Sequence, residues 1–270
     1  MRGEWRVDPA RPAEAGEVAR LARGSIVPRL RRLTLWASPR AARYVEALLS
    51  GAFVEAPEFF LLRRAGRPAG LAAFRTLHGQ AFLNHLSVEP RLRGRSLGTW
   101  LLAEAAARYL DRHNLTQVAL DVFADRSTRG PGTVERWYAR LGFLERDRRS
   151  WWLAPPAAGR GKPLCEGWTE AGRQHRAWGF SSFLVYTPAG RRYRVGRLYA
   201  PLFRLTGPEA AEDLQLWAAL GSLDPRRSLL LIAPEVGPGR GCLLIAQSRR
   251  LECAARALLE NLKQRLGNGA

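Results

Sequence analysis

RLRGRSLGTWLL, residues 91–102, lies between two segments of different hydrophobic period. A strand-like run with Phe82, Leu83, Leu86 and Val88 enters it through Glu89 and Pro90. An amphipathic helix leaves it, with Leu101, Ala105 and Tyr109 one turn apart and Leu102, Ala106 and Leu110 beside them. A strand, a short loop of small and basic residues and a helix start make a device for holding phosphate. The first-turn N–H groups have no intrahelical partner, and the helix dipole favours negative charge there. The spacing is neither that of a G-x-G-x-x-G dinucleotide loop nor that of a loop ending in Gly-Lys-Ser/Thr.

A second segment, Trp137-Tyr138-Ala139-Arg140-Leu141-Gly142-Phe143, follows after one strand candidate, Val118 to Phe123. Trp137 and Phe143 read as core aromatics, whereas a buried Tyr138 needs a polar partner for its hydroxyl.

Arg93-Gly94-Arg95-Ser96-Leu97-Gly98 resembles the R-x-x-G-x-G/A signature of the GCN5-related N-acetyltransferase (GNAT) family, and the Tyr138 segment is similar to that family's F-Y-x-x-x-G-F. The resemblance covers residues 1–155. It implies an α+β fold with a mixed, mostly antiparallel sheet flanked by helices, followed here by a smaller C-terminal α+β domain. The expected domains are 1–155 and 165–270, divided where Pro155, Pro156, Gly159, Gly161 and Pro163 cluster.

Within the first domain, Glu4 to Val7 reads as a strand, and Ala13 to Ala22 and Pro39 to Leu49 as helices. Strands are expected at Phe59 to Arg63, Gly70 to Arg75 and Ala81 to Val88. A helix over 97–113, the strand Val118 to Phe123, a helix over 133–141 stopped by Gly142 and a strand from Phe143 to about Leu153 complete it.

In the second domain, Phe183 to Tyr186 and Arg191 to Leu198 read as a hairpin, and Pro208 to Leu220 as a helix. Leu229 to Ala233 and Cys242 to Ala246 read as a second hairpin across a Gly/Pro turn. Leu251, Ala254, Ala255, Leu258, Leu262 and Leu266 read as the stripe of a closing helix. Arg32-Leu33-Thr34 recurs as Arg204-Leu205-Thr206. A degenerate half of a second such fold, or chance in an Arg/Leu/Ala-rich chain, accounts for the echo.

The 270 residues carry a formal charge of +19, from 43 Lys and Arg against 24 Asp and Glu. Lys162 and Lys263 are the only lysines, and the arginines are spread along the chain rather than gathered in one tract. The charge favours anions. Nucleic acid is not an expected partner, because no recognition helix, zinc finger or interleaved aromatic groove accompanies it. Cys165, Cys242 and Cys253 form no C-x-x-C pair, so neither a disulfide framework nor a metal site is expected. The charged opening, Met1 to Ala10, and the lack of a long apolar run point to a cytoplasmic protein with no membrane partner.

The resemblance further implies transfer of an acetyl group from acetyl-coenzyme A, as co-substrate, to a small-molecule or protein amine. Arg93, Gly94, Arg95, Ser96, Leu97, Gly98 and Thr99 would grip the pyrophosphate. A freed backbone N–H of Leu86, Ser87 or Val88 would polarise the thioester, and Tyr138 would protonate the departing sulfur. Ser96 stands where the family prefers glycine and would carry a cost at positive φ. Asp125 to Pro131 lacks the asparagine that relatives often place there.

For the base, alternation puts Phe82 and Asn84 on the face of Leu86 and Val88, and His85 opposite unless a bulge reverses the register. His85, Asp121, His78 and Glu89 stay open as candidates. Trp36, Phe53, Trp151, Trp152, Arg29, Arg40 and Arg43 are offered for the acceptor pocket, while the acceptor and the oligomeric state are not readable. The competing function is a binding module that keeps the fold, recognises coenzyme A or a partner, and has lost transfer.

Overall fold

The computed structural model describes residues 4–123, 132–155, 158–159, 163–234 and 241–267. In chain order the elements are β1 (Trp5–Pro9), α1 (Ala15–Gly24), α2 (Pro28–Arg31), α3 (Ala41–Leu49), β2 (Glu58–Arg64), β3 (Arg67–Leu77), β4 (Gln80–Val88), α4 (Leu97–His113) and β5 (Gln117–Phe123). There follow α5 (Thr133–Ala139), β6 (Leu144–Ala154), β7 (Leu164–Glu166), α6 (Trp168–Trp178), β8 (Ser181–Tyr186), β9 (Arg192–Arg197), β10 (Leu202–Thr206), α7 (Pro208–Glu212), α8 (Leu214–Leu223), β11 (Ser228–Ala233), β12 (Leu243–Ala254) and α9 (Ala255–Gly267). The fold is α+β, with mostly antiparallel sheet flanked by helices.

Two compact units divide these elements. The first takes the described residues of Met1–Val27, Ala42–Arg146 and Arg249–Ala270, and the second takes Pro28–Ala41 and Asp147–Ser248. The consecutive division into 1–155 and 165–270 therefore does not match the compact units. The C-terminal helix α9 packs along α4 of the first unit, and Ala255 N–H donates to the Thr116 carbonyl.

In the first unit the strand order is β1-β2-β3-β4-β5-β12. Strands β1 to β4 pair antiparallel, and β4 with β5 parallel. Helices α4 and α9 cover one face, where Phe60, Phe74, Leu101, Leu102, Leu120, Leu258 and Leu262 are buried. Burying each such leucine contributes about 1.5–3 kcal/mol. Helix α1 packs on β3 and β4, and Ser87 Oγ donates to the Leu21 carbonyl at 3.2 Å.

The second unit repeats the pattern. Strands β7, β8, β9 and β10 pair antiparallel, and β10 pairs parallel with β11. Phe183, Val185, Val195, Phe203, Leu216 and Leu220 form its core. The likeness between the two units thus lies in the order and direction of strand pairing, and the Arg-Leu-Thr echo has no part in it. Arg32 to Thr34 follow α2 in an irregular turn, whereas Arg204 to Thr206 lie in β10.

Four further readings are corrected. Strands β11 and β12 do not form a hairpin, because β6 lies between them and pairs antiparallel with β11, Leu231 opposite Trp152. Leu251 and Ala254 belong to β12, since this strand continues beside β5 and buries Leu251 and Cys253 before α9 begins. The helix expected over 208–220 is two helices. Asp213 interrupts it and caps α8, its carboxylate accepting from Gln215 and Leu216 N–H at 2.9 and 3.0 Å. Helices α2 and α6 and strands β7 and β10 have no counterpart in the sequence reading. The hairpin of β8 and β9 is as expected.

Candidate functional site

The site is built around an irregularity in β4. Leu83 faces Phe74 and His85 faces Ala73, so Asn84 is an extra residue, a bulge. The pairing of β4 with β5 covers only Ala81 to Leu83 against Val118 to Leu120, although β4 runs to Val88 and β5 to Phe123. The two strands separate where the bulge bends β4.

Backbone direction follows from alternation. Glu89 N–H donates to the Ala69 carbonyl at 2.9 Å, which turns Ser87 toward its β3 partner Leu71. The N–H groups of Leu86 and Val88 then face the opening. Gly70 makes the tight packing here feasible: a Cβ on it would lie 2.9 Å from the Ser87 carbonyl oxygen and 3.2 Å from Leu101 Cδ2.

Beyond Val88 the chain makes a 3-10 turn (Pro90–Leu92) that buries Leu92, then the exposed run Arg93 to Ser96. Arg93 Nε donates to the Val88 carbonyl at 3.2 Å, fixing the loop to the end of β4. Gly94 has φ +79°, which glycine adopts without strain. Ser96 has φ +58° and ψ +5°, and its side chain caps nothing. The first bond of α4 runs from Trp100 N–H to the Ser96 carbonyl, so Leu97, Gly98 and Thr99 present their N–H groups to whatever sits before the helix. Seven residues proposed for pyrophosphate binding are thereby in one continuous turn, Arg93 to Thr99, with the basic side chains exposed.

Tyr138 sits on α5 and is 6 % exposed. Its ring packs edge-on against Trp137 and Phe143, with centroids 4.7 and 5.3 Å away. It shares a buried cluster with Val88 and Val122 of the two separating strands. The hydroxyl makes no hydrogen bond to a described residue, and burial pushes the phenol above its ordinary pKa. Helix α5 begins where the Glu135 carboxylate accepts from Gly132 N–H. Asp125 to Pro131, with its missing asparagine, lies outside the described residues.

The candidate bases separate in space. His85 lies with Ser87 on the α1 side, its Nδ1 2.9 Å from Ser25 Oγ. Burial lowers its pKa to about 4, so the imidazole is neutral near pH 7. Asp121 is held by two bonds from Arg250, at 2.5 and 3.1 Å. Glu89 is paired with Arg20 and Arg91, and His78 is exposed in the β3–β4 turn with φ +51°. The expected face assignment changes as well. The bulge shifts the phase, so Leu86 and Val88 share the α4 side with Ala81 and Leu83, while Phe82 points to the opposite side.

Of the acceptor candidates, Arg43 and Phe53 belong to the first unit; Arg29, Trp36, Arg40, Trp151 and Trp152 belong to the second. Sequence reasoning missed Arg75 and Arg250, which flank the Phe82 ring at 5.4 and 4.8 Å. The alternation of Phe82 with Arg75 across neighbouring strands was the available signal. Among the described residues, no group of three His, Cys, Asp or Glu is placed to hold a metal ion. No described helix is long and apolar enough to cross a membrane.

No curated protein sequence matches the chain. Several solved structures share its fold. A tandem GNAT protein from the clavulanic acid biosynthesis pathway superposes with a TM-score of 0.61 at 15 % identity, covering 93 % of this chain and 99 % of that one. A GCN5-related N-acetyltransferase from Sphaerobacter thermophilus gives 0.58 at 17 % identity, covering 94 % and 96 %. Another, from Anabaena variabilis, gives 0.51 at 11 % identity, covering 92 % and 72 %. The family model described as "Acetyltransferase (GNAT) family" matches residues 28–143, the stretch that contains the bulged strand, the open turn and Tyr138. Residues 28–143 thus match the GNAT family model, and the fold is the one these solved structures share.

Proposed function

We propose that the first unit transfers an acetyl group from acetyl-coenzyme A to a primary amine. The observation that carries this reading is the alignment of three features along one path: the bulge at Asn84, the separation of β4 from β5, and the uncapped start of α4. When bound, the co-substrate supplies an acetyl thioester whose carbonyl carbon gains a C–N bond as the C–S bond breaks.

The residues fit that group. Arg93, Gly94, Arg95, Ser96, Leu97, Gly98 and Thr99 would hold the pyrophosphate with backbone N–H groups and two guanidinium groups. Leu86 and Val88 direct N–H groups into the opening, where a donor aligned on a developing oxyanion contributes roughly 2.7–4 kcal/mol. Ser87 is turned toward β3 and serves as support. Tyr138 keeps its proton at neutral pH and would deliver it to the sulfur. The attacking amine gives up its proton to water, directly or through the neutral His85.

The second unit is proposed as an accessory, degenerate copy. Its β10 passes to α7 through Gly207 alone, and the helix opens with Pro208 and Glu209 rather than a basic loop. Anionic Glu209 at that end opposes a phosphate. Cys165, Cys242 and Cys253 are in the thiol form, which fits a reducing cytoplasm.

Calorimetric titration with acetyl-coenzyme A, followed by a thiol-release screen over amine classes, tests the proposal. The expected result is saturable binding and release with at least one class. Binding without release for every amine would assign the domain to recognition instead, a reading that the strained Ser96 favours. Left-handed backbone costs a non-glycine residue about 1–2 kcal/mol. Ser96→Gly is therefore expected to stabilise the domain by up to about 1 kcal/mol and to tighten acetyl-coenzyme A binding. Unfolding midpoints and calorimetry on the variant check both effects.

A further inference from the structure

On the side of the sheet opposite α4, the first unit presents a charged aromatic stack. Ala81 and Leu83 of β4, and Leu120 and Val122 of β5, belong to the core under α4, so Phe82 and Asp121 point the other way. Phe82 is the register partner of Arg75 on β3. The guanidinium carbons of Arg75 and Arg250 lie 5.4 and 4.8 Å from the centre of the Phe82 ring. Arg250 is neutralised by its two bonds to Asp121. Arg75 is exposed and makes neither an ion pair nor a hydrogen bond with any described residue. The ring holds its planar fork in place while leaving the N–H donors free. Charges in this stack sum to one unpaired positive charge, and it sits on Arg75.

The position matters. Phe82 precedes Leu86 by four residues on the same strand, roughly a dozen ångströms at about 3.3 Å per residue. An acceptor entering from this side would place its amine at the opening and its far end at Arg75. We propose that the acceptor carries a carboxylate several bonds from its amine and that Arg75 binds that carboxylate. The proposal rests on the transfer reading above and names its substrate class. Arg75 is a specificity residue here; the chemistry stays with Leu86, Val88 and Tyr138.

The test compares ε-aminocaproate with ε-aminocaproamide, and para-aminomethylbenzoate with its carboxamide. Thiol release and direct calorimetric binding are measured for wild type, Arg75→Met and Arg75→Lys. Wild type is expected to prefer each acid over its amide about 10- to 100-fold in kcat/KM, as a charge-assisted hydrogen bond implies. Arg75→Met brings the ratio close to one with acetyl-coenzyme A binding unchanged, and Arg75→Lys restores part of it. Equal use or equal binding of acid and amide by wild type overturns the proposal, as does a preference that survives Arg75→Met. Selective acid binding without any thiol release keeps the carboxylate site and overturns the transfer reading, so the two failures are distinct.

Discussion

Tyr138→Phe is expected to lower kcat for thiol release by roughly 10²-fold, with the KM for acetyl-coenzyme A and the melting temperature unchanged. The ring packs against Trp137 and Phe143 in a filled cluster, and phenylalanine keeps that packing. The hydroxyl bonds to no described residue, so its loss breaks no hydrogen bond among the described residues. A buried phenol held above its normal pKa is useless as a base near neutrality, since its anion would be stranded among apolar neighbours. In the proposed mechanism it is a proton source that acts only as negative charge forms on the departing sulfur. Steady-state kinetics with thermal melting separates the cases: unchanged turnover would make Tyr138 an ordinary packed aromatic.

Arg227→Met is expected to destabilise the second unit by about 3–5 kcal/mol, the range for breaking a buried charged pair. Arg227 is 8 % exposed. Its NH1 donates to the carbonyls of Leu198, Ala200 and Leu202 at 2.9, 3.1 and 3.3 Å, and its Nε donates to Asp224 at 3.0 Å. One guanidinium thus closes the β9–β10 turn while lying 5.6 Å from the centre of the Phe203 ring. Methionine fills similar volume but leaves Asp224 without this partner and the Leu198 carbonyl without this donor. Arg227→Lys is expected to recover less than half of the loss, because an ammonium cannot fork across the turn. Denaturant midpoints at unchanged slope check the effect, and a shift under 1 kcal/mol contradicts it.

What was legible in the sequence is what is local. The turn from Arg93 to Thr99 and the helix after it follow from composition and period over a dozen neighbouring residues, and they stand where expected. The bulge at Asn84 was not legible: nothing in Phe82-Leu83-Asn84-His85 marks the extra residue, yet it decides which side Phe82 and His85 serve. Pairings distant in sequence were equally hidden. Leu229 to Ala233 and Cys242 to Ala246 look like a hairpin because the intervening turn is rich in Gly and Pro. The alternation of β6, tens of residues upstream, gives no sign that it will come between them. The arginine excess misled in a different way. A compositional bias describes its amount, but Arg227 and Arg250 are held by named acceptors, and only three-dimensional proximity distinguishes them from solvated neighbours.

The division of the chain also has a consequence for synthesis. Domains generally fold in order as they leave the ribosome. Here the first unit is completed by the described residues of Arg249–Ala270, so β5 has no partner on its far side and α4 lacks α9 until that stretch has been made. The growing polypeptide must carry that unfinished edge and apolar groove while residues 147–248 are made, which makes it a poor candidate for dissection into separately expressed consecutive pieces.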